Sequence, residues 1–223
     1  MQRRHFLRTA AALATMARLG TARAHGGLVL PPQPVPAVRL RLQDGRTLSG
    51  PALLEGRVTA LQLMFTGCSA TCPLQGALFA EVERQLLARR AAPPDVQLIS
   101  ASIDALGDDP AALSGWLARF GAGGLWRAAT PAVADLDRWL DFLQGRRGGA
   151  DRHTTQVFLF DRRGRLALRT VDLPPPAEVA RLVGELAAQK GPVNQPSSMA
   201  RSPTSMADRN SKPASGNARC SAR

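Results

Sequence analysis

"RVTALQLMFTGCSATCPLQGALFAEVERQLLARR", residues 57–90, decides the fold. Arg57 to Phe65 is a short apolar run without a breaker, the pattern of a strand buried on both faces. Cys68, Cys72 and Pro73 follow it directly. Leu74, Leu78, Val82 and Leu86 then recur every four residues, which predicts an amphipathic helix. Pro73 suits its first turn, where a missing N–H costs nothing. Two thiols therefore stand at a strand-to-helix junction.

Outward from this unit the pattern repeats. "VQLISASI" (96–103) reads as a strand, "DPAALSGWLARF" (109–120) as a helix starting at Pro110, and "PAVADLDRWLDFL" (131–143) as a second helical segment. "TQVFLFD" (155–161) and "RLALRTV" (165–171) read as strands around Arg163-Gly164, closed by a helix in "PPAEVARLVGELAAQ" (175–189). Upstream, "VRLRLQDGRTLS" (38–49) alternates around Asp44-Gly45, a hairpin signal. This is an α/β order, that of a thioredoxin-like fold with a central mixed sheet flanked by helices, expected over residues 45–189. Residues 25–44, rich in Gly and Pro at their start, read as an extended lead-in.

The charge lies at the ends. The 223 residues carry 29 Lys and Arg against 17 Asp and Glu, a formal +12, which resembles a nucleic-acid binder. Residues 1–24 hold five arginines and no acid, and residues 190–223 hold six Lys and Arg against one Asp. With the basicity terminal and Tyr absent, the body of the chain offers neither a polyanion surface nor stacking platforms, so no nucleic-acid partner is expected. Arg3-Arg4, an alanine-rich apolar stretch and Ala22-Arg23-Ala24 make residues 1–24 a twin-arginine signal peptide, cleaved before His25. Periplasmic export follows, with no stable membrane span. Residues 190–223, rich in Ser, Pro and Asn, read as a disordered basic tail.

A helix N-terminus presents unpaired N–H groups and a positive dipole end, which favours thiolate at Cys68 and Cys72. Three intervening residues, one more than in the thioredoxin redox pair, let both sulfurs face one pocket without being bonded. A purely structural disulfide would close too short a loop to add much stability. His153, in "GADRHTTQVFLF" before an apolar strand, occupies the region where thioredoxin-like reductases carry a cis-proline. Two thiolates and an imidazole form a set suited to Cu(I) and, with an added ligand, Cu(II).

"FTGCSATCPL", "SIDALGDDPAAL" and "DRHTTQVFLFDRRGRL" resemble the Sco/SenC family of copper-handling, thioredoxin-like factors of cytochrome c oxidase assembly. The resemblance runs over about residues 45–188 and implies that Cys68, Cys72 and His153 are the copper ligands. It matches Asp104 and Asp108 to the family's acidic segment, expected behind the ligands or facing a partner. Four features depart from the family pattern, one of them the short Arg- and Gly-rich segment between Phe142 and His153. Ala105 replaces a proline, Asp151-Arg152-His153 places a cation beside the ligand, and a signal stands where a membrane anchor is usual.

The remaining candidates read as bland. His25, as an amino-terminal residue, offers an amine and imidazole to Cu(II) but is taken as incidental. Cys220 is a stray thiol of the tail, able to pair between molecules. Asp104, Asp108 and Asp109 read from the residues alone as a solvated turn and helix cap, and Met64 as core. The expectation is a periplasmic copper chaperone. Its partners would be the copper-site subunit of cytochrome c oxidase or another copper protein, and a thiol–disulfide reductase. The alternative is an enzyme, a thiol–disulfide oxidoreductase using Cys68 and Cys72 without metal.

Overall fold

The computed structural model describes residues 26–88, 96–149 and 152–189. The expected signal peptide, His25, Asp151 and the tail with Cys220 lie outside these residues. The strands are β1 (Gly27–Pro34), β2 (Arg39–Leu42), β3 (Thr47–Ser49), β4 (Val58–Met64), β5 (Val96–Ser102), β6 (Trp126–Pro131), β7 (Gln156–Phe160) and β8 (Arg165–Asp172). The helices are α1 (Gly50–Leu54), α2 (Cys72–Ala88), α3 (Pro110–Arg119), α4 (Leu136–Leu143) and α5 (Pro176–Ala188), with a 3-10 turn at Val133–Asp135.

The strands form one eight-stranded sheet in the order β1-β8-β7-β4-β5-β6-β2-β3. β4, β5 and β6 run parallel, and every other pairing is antiparallel. All seven residues of β4 and of β5 are buried, as strands covered on both faces require, and their polar members pair with one another, Gln62 donating to Ser100 Oγ at 2.9 Å and Gln97 to Thr59 Oγ1 at 3.0 Å. Alternation splits β4 between two cores. Val58, Ala60 and Met64 pack with Phe79, Val82, Trp116 and Val179 from α2, α3 and α5. Leu61 and Leu63 pack with Leu54, Trp139 and Leu143 from α1 and α4. The expected mixed sheet flanked by helices is thus present.

Two strands depart from the sequence reading. The hairpin expected around Asp44-Gly45 is β2 and β3, whereas residues read as an extended lead-in supply β1, a proline-bearing edge strand paired only to β8 within the sheet order. β6, within "WRAATP", was not expected. Its alanines carry little strand propensity, and its place between β5 and β2 creates it.

Candidate metal centre

Parallel strands β4 and β5 end side by side, Met64 opposite Ser102, and the chain leaves both at the same edge. After β4 it turns tightly, Cys68 N–H donating to the Phe65 carbonyl at 3.1 Å. Leu74 and Gln75 N–H then donate to the Thr71 carbonyl, so Cys72 opens α2. Cys68 and Cys72 are both buried and present as thiols, not joined in a disulfide.

Burial pushes the Cys68 thiol up. Hydrogen bonding to the Cys72 side chain and to the backbone N–H groups of Cys72, Ala70 and Thr71 outweighs it, so the thiol lies below its ordinary value. The helix-terminus effect expected from the sequence thus acts on the outer cysteine through specific N–H donors.

Antiparallel pairing brings the imidazole. Gln62 stands opposite Val157 at the end of the pairing, so the chain running on from β4 to the cysteines and the chain running back from β7 to His153 lie at the same edge of the sheet. His153 is buried, its Nε2 3.7 Å from Cys72 Sγ across 81 positions of sequence. Its Nδ1 lies 2.9 Å from the Thr154 carbonyl, which can only accept. Nδ1 therefore carries a hydrogen, and Nε2 is the ring nitrogen that faces sulfur. The loop before it is tied down by Thr154 N–H to the Gly145 carbonyl at 2.8 Å and Arg147 N–H to the Arg152 carbonyl at 3.0 Å. From β8, Asp172 accepts from Thr154 Oγ1, Thr155 N–H and Thr155 Oγ1 at 2.7, 2.9 and 3.0 Å.

The cation beside the ligand is turned aside. Arg152 has φ of 57°, and its guanidinium lies 5.2 Å over the Phe65 ring, whose plane stands edge-on to His153 at 6.2 Å. An aromatic ring stands against both the charge and the imidazole.

The acidic segment needs correction. Asp109 caps α3, accepting from Ala112 N–H at 2.8 Å, and Asp104 accepts from Gly107 N–H at 2.9 Å, both as turn and cap residues. Asp108 is not solvated. It is 3% exposed and accepts from Thr66 N–H at 3.0 Å, Thr66 Oγ1 at 2.5 Å and Ser102 Oγ at 2.6 Å. Three donors satisfy a carboxylate that could not be buried alone, and through Thr66 they pin the turn that carries Cys68. Met64 is core, as expected.

Cys68, Cys72 and His153 are thus brought together, Cys72 touching both of the others. Among the described residues no three His, Cys, Asp or Glu side chains already converge as a metal cluster. The donors present suit a soft ion: two thiols, one favoured as thiolate, and an imidazole nitrogen facing sulfur. Sequence reasoning missed Asp172 and the burial of Asp108. Only the link of Asp108 to the family's acidic segment hinted at a role.

The SCO1/SenC family profile matches residues 37–188. Among curated proteins none matches. Among solved structures, the chain is similar to a Bacillus subtilis member of the Sco family of cytochrome c oxidase assembly proteins, described with a disulfide switch. The two share 22% identity and a TM-score of 0.61 over 72% of this chain and 96% of that one. Yeast Sco1 with copper bound gives 14% identity and a TM-score of 0.61 over 76% and 97%. Bradyrhizobium japonicum ScoI with copper bound gives 21% identity and a TM-score of 0.55 over 72% and 98%. The fold is accordingly thioredoxin-like.

Proposed function

We propose that this chain, which belongs to the SCO1/SenC family, is a periplasmic copper chaperone that holds copper on Cys68, Cys72 and His153. It would deliver the ion to the copper site of a respiratory oxidase. The contact of Cys72 Sγ with His153 Nε2 at 3.7 Å carries the reading, because it gives the thiol pair a third donor from a distant part of the chain. In an oxidising compartment the pair must be kept reduced, since a disulfide has no thiolates to offer. A partner reductase would return two electrons and two protons to the sulfurs. Copper then passes by ligand exchange to thiols or imidazoles of the acceptor. Export by the twin-arginine route is part of this proposal, supported by the Arg3-Arg4 signal. Among the described residues no helix is long and apolar enough to cross a membrane.

Titration of reduced protein with Cu(I) against a competing chelator tests the reading. His153→Ala should weaken binding about tenfold or more, and Cys68→Ser/Cys72→Ser should remove it. Unchanged affinity in both variants overturns the assignment.

The second reading, a thiol–disulfide oxidoreductase, is favoured by the lowered Cys68 thiol. Against it, His153 occupies the region before β7 where a reductase carries proline, and no proline lies between it and the strand. Copper-free turnover of a protein disulfide, lost in Cys68→Ser and retained in His153→Ala, would establish it.

A further inference from the structure

The loop that leads to His153 also lines a groove. The segment from Gln144 to Arg147, together with β1 and β8, bounds about 680 Å³. Its polar lining comes from Arg146, Arg147 and Arg169 with Gln33, Gln144 and Gln156, and Leu28 and Leu30 on β1 give it an apolar lip. Those leucines are 70% and 78% exposed. Among the described residues no carboxylate lines the groove.

The three guanidinium groups are not equivalent. Arg146 is paired with Asp137 and Asp141, and Arg147 with Asp172. Arg169 donates instead to the Leu143 and Phe142 carbonyls at the end of α4, both at 3.2 Å. No carboxylate among the described residues pairs with it, and its partial burial works against its charge. A half-buried cation lacking a counter-charge, set in an acid-free groove, is complementary to an anionic ligand.

The chain's own ends do not complement it. Residues 1–24 carry five arginines and no acid, and residues 190–223 carry six Lys and Arg against one Asp. Either would bring more positive charge to a basic groove. The exposed apolar lip on β1 suits a peptide that carries apolar side chains beside its acids.

We propose that this groove docks an acidic peptide segment of a partner protein, its carboxylate meeting Arg169 and its apolar side chains meeting Leu28 and Leu30. One wall of the groove is hydrogen-bonded to Arg152 and Thr154, on either side of His153, so a docked partner sits on the loop that positions the imidazole. That the partner is the copper acceptor rests on the function proposed above; the docking itself does not.

The test measures fluorescence anisotropy of a dye-labelled synthetic peptide of glutamates and leucines with the full chain, at low and physiological salt. Binding should weaken with salt, fall about tenfold in Arg169→Gln and be largely retained in Arg169→Lys. Leu30→Glu, at a position 78% exposed, should abolish it by placing in the groove a charge of the peptide's own sign. Arg84→Gln, on the exposed face of α2, should leave it unchanged. Cys68→Ser/Cys72→Ser should bind the peptide normally, so failure of the copper assignment and failure of the groove are read separately. If Arg169→Gln does not fold, as judged by circular dichroism, Leu30→Glu decides. Absence of peptide binding, binding indifferent to Arg169→Gln and Leu30→Glu, or preference for anionic phospholipid vesicles over the peptide overturns the proposal.

Discussion

Replacing Asp108 by alanine should loosen the motif turn more than any surface change in the acidic segment. The side chain is 3% exposed and its carboxylate takes three hydrogen bonds, two from Thr66 and one from Ser102. Hydrogen bonds to a charged group contribute about 1.5–3 kcal/mol each, but three sharing one acceptor are not additive. Ser102 Oγ keeps its contact with Asp104 N–H at 2.9 Å, while the Thr66 donors are left at a partly buried site. The net cost is about 3 kcal/mol, or a fall in Tm of about 6–12 °C for a domain of this size. Asp108→Asn keeps the shape and one acceptor but turns an NH2 towards donors, and should lose about half as much. Thermal unfolding by circular dichroism reads the stability. Alkylation of reduced protein with iodoacetamide reads the turn, because Thr66 stands two residues before Cys68, which is 6% exposed. Alkylation should accelerate in Asp108→Ala. Asp109→Ala, which removes only the α3 cap, should cost about 1 kcal/mol and leave alkylation unchanged. A Tm shift of Asp108→Ala no larger than that of Asp109→Ala, with unaltered alkylation, would refute the reasoning.

The Cys68 thiol should titrate below the ordinary 9.0. A depressed folded value contributes stability at pH above the ordinary value, and that contribution is lost as pH falls through the folded value. The difference in urea midpoint between reduced wild type and Cys68→Ser should therefore grow from neutral to alkaline pH, and a flat difference speaks against it. For Asp172, burial raises the carboxyl but bonds from Thr154 and Thr155 and the Arg147 charge bring it below the ordinary 3.8. Its contribution should be complete above that pH and disappear in more acid solution, so Asp172→Asn should match wild type only in acid. At neutral pH, faster amide exchange at Thr155 in this variant would report release of the loop beside His153. Gly76→Ala should destabilise by about 1–3 kcal/mol despite better helix propensity, since its Cβ would meet the Phe120 ring at 2.4 Å. Phe120 is held by Trp116 at 4.7 Å, so it cannot easily withdraw. Gly115→Ala, on exposed α3 with open space around it, should instead stabilise by about 0.5–1 kcal/mol; chemical denaturation compares the two.

The parts legible in the sequence are those with a strong local period. β4, β5 and β7 are mainly apolar runs without a Gly or Pro breaker, and α2 buries Leu78, Val82 and Leu86 of its four-residue repeat while Leu74 stays exposed, so the centre of the sheet and the helix after the cysteines could be read directly. β6 could not, because Ala128, Ala129 and Thr130 become strand only through neighbours on both sides. β1 was hidden by three prolines, which an edge strand tolerates and a central one does not. Cys68 and Cys72 were visible by type and spacing, and His153 by its place before a buried strand. Asp108 was misread because acids in a Gly- and Asp-rich turn are usually hydrated. Its burial depends on Thr66 and Ser102 arriving from two other segments. Asp172 ends β8 with no local mark, and its function of holding Thr154 and Thr155 exists only once β7 and β8 are paired.

The same dependence explains how a cation can stand next to His153. In the sequence, Arg152 looks adverse, since a charge adjacent to the imidazole would oppose another cation there. Along the chain the two are neighbours, but the left-handed backbone at Arg152 separates their side chains. The guanidinium goes to the face of Phe65, where the ring's electron density favours it, and the imidazole meets the same residue edge-on and turns Nε2 to Cys72. Phe65 is also the residue whose carbonyl closes the turn to Cys68. One residue thus joins the cysteine turn, the imidazole and the charge. Loss of its ring would release Arg152 towards the site and remove a wall of His153 together. Arg152 and Phe65 therefore act as a pair whose members cannot be judged separately.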